Sequence, residues 1–161
     1  MTAEAEPILP ALPEALQDQV NELSDAANEL AEAGDLEGAR ARFQSAFDLF
    51  PSPALEWQGA AELLGAVGDM YFSAGQFAAA RSELERAGDS VEGKQSPWLA
   101  LRLGQTYLEL ADPRANALLV QALVEGGPEL FDDEDPKYFR LASGLVPPPE
   151  GLTSWEQARL P

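Results

Sequence analysis

The sequence predicts an all-α protein in which about three pairs of helices stack into a solenoid, with a C-terminal capping helix and a tail at its end. Apolar residues recur at the three- and four-residue spacing of a helix. Two stretches also repeat each other, because the apolar and small residues at offsets of 3, 4, 7, 16, 20 and 23 from Leu23 have counterparts at the same offsets from Leu64. Gly34 and Gly75 interrupt the two stretches, so each is predicted to form two antiparallel helices joined by a tight turn.

The first pair is predicted to begin with a long helix from Pro13 to Ala33. Its apolar stripe consists of Leu16, Val20, Leu23, Ala27 and Leu30. In the second pair, residues 53–60 are expected to lengthen the first helix at its N-terminal end. Small residues occupy the positions at which paired helices must approach closely, namely Ala27, Ala39, Gly68 and Ala80.

A third pair is predicted from a less regular copy of the same pattern, which starts at Ala100 and ends at Ala122. Its turn is one residue shorter, and Pro113 is expected at the first position of its second helix, where proline is tolerated. Gly126-Gly127-Pro128 then breaks the chain before a short helix from about Pro136 to Ser143. The predicted organisation is an N-terminal arm over residues 1–12, a helical domain over 13–143 and a proline-rich tail over 144–161, with Trp155 either exposed or docked.

The acidic stretch FDDEDPKYF at residues 131–139 allows more than one interpretation. A calcium loop needs acids at alternate positions and a central glycine, and the stretch does not provide them. A helix start fits better, with Asp135 as the N-cap and Pro136 in the first turn. Aromatic and apolar residues would then cover the open face of the solenoid, while three acids stay free for a basic partner: Asp132, Asp133 and Glu134.

The composition narrows the possible functions. The 161-residue chain has no cysteine and no histidine, which removes thiol nucleophiles, serine–histidine triads and the usual zinc ligands. No metal site, cofactor or catalytic residue is therefore predicted, although a hydrolase that uses carboxylates alone stays open. The net charge of −18 disfavours nucleic acid and anionic membranes and favours a basic protein partner. With no long apolar run and no basic signal-peptide start, a cytoplasmic protein is expected.

The repeated pattern, Leu-x2-Ala/Val-Gly/Ala-x2-Leu/Tyr followed by Ala-x3-Phe/Leu-x2-Ala, resembles the tetratricopeptide repeat over about residues 20–126. The resemblance implies a right-handed superhelix, no enzymatic activity and a concave groove that binds protein partners. At the groove positions of that family the chain has carboxylates and aromatic residues but no lysine or arginine. The predicted partner-binding residues there are Asn28, Glu32, Glu62, Asp69, Phe72, Trp98, Gln105 and Glu109.

Two functions follow from this resemblance. The chain is similar in size, charge and tail to small acidic bacterial repeat proteins that serve as immunity proteins against secreted polymorphic toxins. Such a protein would neutralise a basic toxin effector domain, and its charge would speed their encounter. The alternative is a scaffold, or a secretion or assembly chaperone, that holds a basic and apolar peptide segment in its groove.

Overall fold

The computed structural model describes residues 8–159, and every regular element within that range is helical. Residues 1–7 of the predicted arm, and Leu160 and Pro161 of the predicted tail, lie outside the described residues. The helices are α1 (Glu14–Glu32), α2 (Leu36–Phe47), α3 (Ala60–Ser73), α4 (Phe77–Gly88), α5 (Val91–Lys94), α6 (Pro97–Glu109), α7 (Ala115–Gly126) and α8 (Pro136–Leu145). The prediction of an all-helical solenoid is confirmed.

Three helix pairs form the body of the solenoid, namely α1 with α2, α3 with α4, and α6 with α7. Small residues allow the paired helices to approach each other. Ala27, Ala39 and Ala80 are completely buried. A Cβ atom at Gly68 would lie only 2.4 Å from Cγ of Leu84, so a larger residue there would displace the Leu84 side chain or move the two helices apart.

The turns within the three pairs share one backbone conformation. In each, an amide donates to a carbonyl five residues earlier: Asp35 to Leu30 at 2.9 Å, Gln76 to Tyr71 at 2.9 Å and Asp112 to Tyr107 at 2.8 Å. The residue before each donor has a positive φ, which is 87° at Gly34, 74° at Gly75 and 56° at Ala111. The third turn is thus the same turn made without glycine.

Pro113 does not begin the second helix of the third pair, as the sequence predicted. α7 begins two residues later, at Ala115. Arg114 bends back and donates its backbone N–H to the Asp112 carboxylate at 2.9 Å, which holds residues 112–114 as a turn before the helix starts.

Residues 53–60 do not lengthen α3, which is a second correction. They contain a short 3₁₀ turn, Ala54–Glu56, and α3 starts only at Ala60. Gly59 has a φ of 90°, which is incompatible with a right-handed helix. Gln58 is held instead by the N-terminal segment, because its backbone N–H donates to the Pro10 carbonyl at 3.0 Å and its side chain to the Leu9 carbonyl at 2.7 Å.

The chain between the second and third pairs holds an element that the sequence did not predict. α4 ends at Gly88, and the chain after it contains the short helix α5. Ser90 caps α5 by accepting a hydrogen bond from the Gly93 N–H at 2.9 Å. The Ser90 hydroxyl therefore has a structural role at the start of α5.

The C-terminal end of the solenoid is closed by α8 and the tail. Asp135 is the N-cap of α8, as predicted, and accepts from the Lys137 N–H at 3.0 Å, while Pro136 is the first helical residue. Tyr138 is buried in the core cluster that includes α7. Trp155 docks in the same cluster, is 8% exposed and donates its indole N–H to the Val146 carbonyl at 3.0 Å.

Candidate functional site

A cavity of about 500 Å³ opens between α3, α5 and α6. Its wall is mostly apolar, and it carries three carboxylates. Its lining is Ala61, Glu62, Gly65, Ala66, Asp69, Glu92, Gly93, Ser96, Trp98 and Leu99. Ligand pockets in proteins commonly have a volume of about 300–1,000 Å³ and few polar groups, so both the size and the lining suit a bound side chain.

The position of Trp98 depends on the start of α6 and on the absence of a side chain at Gly65. Ser96 caps α6 by accepting from the Leu99 N–H at 3.2 Å, and Pro97 is the first helical residue, which places Trp98 in the first turn. A Cβ atom at Gly65 would lie 3.1 Å from Cζ3 of Trp98. The indole can therefore lie close against α3 and form one wall of the cavity.

The carboxylate of Glu92 joins α5 to the start of α3. Its two oxygens accept from the Gly59 N–H at 3.1 and 3.2 Å. Glu62 lies in the first turn of the same helix and is exposed. Both carboxylates thus lie at the N-terminus of α3, where the helix dipole attracts negative charge. Sequence reasoning missed Glu92 because it did not predict α5.

Arg102 lies beside the cavity in the middle of a cluster of predicted site residues. Its Nε lies 2.9 Å from Oδ1 of Asp69, and its two terminal nitrogens contact the Glu134 carboxylate at 3.0 and 3.1 Å. Its guanidinium lies 4.6 Å from the ring centroid of Phe72 and 5.6 Å from that of Trp98. The side chain is only 12% exposed.

The contact between Arg102 and Asp69 differs from the one with Glu134. Neither Nε of Arg102 nor Oδ1 of Asp69 forms a well-aligned hydrogen bond, although the two atoms are close and buried. Glu134 instead receives two parallel hydrogen bonds from the guanidinium. The geometry therefore makes Glu134 the stronger partner of Arg102, and Asp69 adds mainly charge.

The groove positions themselves hold no lysine or arginine, but an arginine from a neighbouring position reaches them. Arg102 is not at one of the family's groove positions, yet its long side chain reaches two residues that are, Asp69 and Phe72. Gln105 belongs to the same cluster, since it is fully buried and donates to Glu134 at 2.8 Å.

The acids of the FDDEDP segment are not all free, contrary to the prediction. Glu134 is held by Arg102 and Gln105, and Asp132 pairs with Arg159 of the tail. Only Asp133 of the three is exposed without an observed pairing in the described part of the chain. The physical reason is that the segment folds back onto α6 and the tail folds back onto the segment, which brings cations to two of the carboxylates.

Glu109 is also engaged within the chain. Its carboxylate accepts from the Tyr138 hydroxyl at 2.5 Å and lies 2.6 Å from Nζ of Lys137. The hydrogen bond from Lys137, followed by the one from Tyr138, lowers the pKa of Glu109. The residue therefore ties α6 to the capping helix α8.

Apart from Glu109, Asp132 and Asp133, the predicted site residues separate into three groups. Glu62, Asp69 and Trp98 line the cavity. Phe72, Gln105 and Glu134 surround Arg102 and stabilise the chain itself. Asn28 and Glu32 are exposed on α1 and are not part of the cavity lining.

The stacked pairs and the concave cavity define a helical-repeat protein with a fold of the tetratricopeptide type. Among solved structures, the chain is similar to the N-terminal domain of stress-induced protein-1 (STI-1) from C. elegans, with a TM-score of 0.61 and 20% sequence identity over 80% of this chain and 98% of that one. At this identity the similarity establishes the fold. No protein-family model and no curated protein matches the chain.

None of the helices in the described part of the chain is both long enough and apolar enough to cross a membrane.

Proposed function

We propose that this protein is a non-enzymatic protein-binding module that holds a basic and apolar part of its partner in the cavity between α3, α5 and α6. The observation that supports this most is the combination of an apolar wall with the carboxylates of Glu62 and Glu92. Within residues 8–159, neither of these carboxylates forms an ion pair with a lysine or arginine. Positive charge from a partner would complement them.

We propose further that the partner is a basic toxin effector domain and that the chain acts as its immunity protein. The net charge of −18 supports this proposal, since a charge of this size accelerates the approach of a basic domain. A toxin that acts on nucleic acid or nucleotides needs a basic cleft, and an acidic inhibitor is complementary to it.

A secretion or assembly chaperone is the second candidate. The observation that favours it is the size of the cavity, about 500 Å³, which suits a few side chains of an extended segment better than the broad face of a folded domain. Such a chaperone would bind several peptides weakly, whereas an immunity protein would bind one domain tightly.

The decisive experiment co-expresses this chain with the product of the neighbouring gene, which is the candidate toxin, and follows cell survival. Protection supports immunity, and equal killing with and without the chain refutes it. Purified proteins then locate the surface. Glu62→Lys should slow association roughly 3- to 10-fold and weaken its salt dependence, because it reverses a charge at the cavity.

The matched control is Glu37→Lys, which makes the same charge change at an exposed site at the start of α2. It should slow association less than Glu62→Lys does. If the two variants behave alike, the partner responds only to the overall field of the protein and the cavity is not the binding site.

A further inference from the structure

The two ends of the cavity differ in charge. At one end, Asp69 lies next to Arg102, whose guanidinium is also bound by Glu134. At the other end stand Glu62 and Glu92, with no cation of the described chain paired to either. A positive charge that enters the cavity would meet two carboxylates without a cation at the second end, whereas at the first end Arg102 offsets one of the two carboxylates that it contacts.

The wall between the two ends is apolar. Trp98, Leu99 and Ala66 line it, and the missing side chain at Gly65 leaves the indole close against α3. An apolar side chain placed here would be covered by an aromatic ring and a leucine, which is the kind of contact that contributes most to binding energy at protein interfaces.

We propose that the cavity recognises a protein segment in which a leucine-sized apolar residue lies next to a lysine or arginine, and that it does so in one orientation. The apolar side chain packs against Trp98 and Leu99, and the cation points to Glu62 and Glu92 rather than to Asp69. This inference rests on the proposed function and specifies the chemistry of the partner. Arg102 acts as the positioning residue, since it offsets one of the two carboxylate charges at the first end and lies against Asp69.

A double-mutant cycle with short peptides tests the orientation. The probes are acetyl-Gly-Lys-Gly-Leu-Gly-amide and the same peptide with norleucine in place of lysine, which keeps the aliphatic stem and removes the charge. Binding is followed through the indole N–H signal of Trp98 in ¹⁵N NMR spectra, assigned from the Trp98→Phe variant. The lysine peptide should bind the native protein about three- to fivefold more tightly, the range of a partly exposed ion pair.

The charge preference should map to the end of the cavity that holds Glu62 and Glu92. Glu62→Gln removes one of these two carboxylates and should reduce the preference for lysine to less than about twofold, while Asp69→Asn should leave it at about three- to fivefold. Ala66→Leu, which fills the cavity from its edge, should remove the Trp98 response to both peptides while the circular dichroism spectrum stays helical.

Three results would overturn the inference. They are a lysine preference that is undiminished in Glu62→Gln, a preference that disappears in Asp69→Asn, and the absence of any Trp98 response in the native protein at millimolar peptide. These results are separable from failure of the proposed function. The function fails if Glu62→Lys and Glu37→Lys slow the association of the whole partner equally, whatever the peptides do.

Discussion

Ala111 adopts a left-handed backbone conformation, with a φ of 56°, at the turn position that glycine occupies in the first two helix pairs. A side chain in this conformation brings Cβ close to a backbone carbonyl, which costs about 1–2 kcal/mol. The hydrogen bond from the Asp112 N–H to the Tyr107 carbonyl, at 2.8 Å, holds the turn in place. The third pair therefore contains local strain that the other two avoid.

Ala111→Gly is expected to stabilise the protein by about 0.5–1 kcal/mol. Removing the strain of a left-handed alanine stabilises the folded state by more than the greater conformational freedom of glycine stabilises the unfolded chain. Urea denaturation measures the free energy of unfolding. Ala117→Gly is the control, because Ala117 is exposed inside α7 and its replacement should cost about 0.5–1 kcal/mol. Destabilisation by both variants would show that the third turn is not strained.

For single residues, the sequence predicts where the third turn lies but not which residues a long side chain contacts. The third turn can be located in the sequence because Ala111 and Asp112 occupy the positions that correspond to Gly34 and Gly75 and the residues after them in the repeated pattern. The repeated pattern does not indicate which residues the side chain of Arg102 contacts. Groove positions are assigned from the direction of Cβ on a helix, whereas a guanidinium lies several bonds beyond Cβ and can contact residues assigned to another position.

The capping helix α8 and the tail behave as one element with the end of the solenoid. Phe131 and Phe139 pack edge to face with their ring centroids 5.9 Å apart, and Phe131, Tyr138 and Trp155 share one buried cluster. Arg159 of the tail also pairs with Asp132, which precedes α8. Residues 144–159 thus pack on the helical domain, so removing their anchor should affect the whole cap.

Trp155→Ala is expected to lower the free energy of unfolding by about 3–5 kcal/mol, the usual cost of truncating a buried tryptophan. Hydrogen exchange should increase first in the amides of α8, since that helix shares the cluster. Leu152→Ala is the control in the same tail. Leu152 is 36% exposed, so its truncation should cost well under the tryptophan value. Equal effects of the two variants would mean that the tail is not docked through Trp155.

The length of a helix determines whether the sequence predicts it. α1 to α4, α6 and α7 each span several turns, so their apolar periodicity is clear. α5 has only four residues and is signalled mainly by Ser90 as a cap, and residues 54–56 form less than one turn of α-helix. Because Glu92 lies in α5, one of the two carboxylates at the charged end of the cavity could not be predicted.

The charge of the whole molecule is uneven. Carboxylates follow each other at spacings of three and four residues along α1, and no lysine or arginine lies in this helix. These residues are Glu14, Asp18, Glu22, Asp25, Glu29 and Glu32. Like charges at these spacings destabilise a helix by about 0.2–0.5 kcal/mol per pair. The net charge of −18 adds repulsion over longer distances.

Sodium chloride is therefore expected to stabilise the native protein. Raising its concentration from 0.01 to 0.3 M shortens the Debye length from about 30 Å to below 10 Å and screens the repulsion between exposed carboxylates. The melting temperature, measured by calorimetry at both concentrations, should rise. The double variant Glu22→Gln, Glu29→Gln should be more stable at low salt and gain less from added salt. Destabilisation by salt would mean that attractive ion pairs outweigh the repulsion.

Both ends of the solenoid are unsuited to extension. At one end, α8 and Trp155 cover the apolar face on which another helix pair could stack. At the other end, α1 presents exposed carboxylates to any second molecule that approaches with the same surface. Head-to-tail joining of copies would require α8 and the tail to leave the first end, and head-to-head joining through α1 would have to overcome the repulsion between its carboxylates. The same two features that complete the fold therefore also oppose growth into filaments.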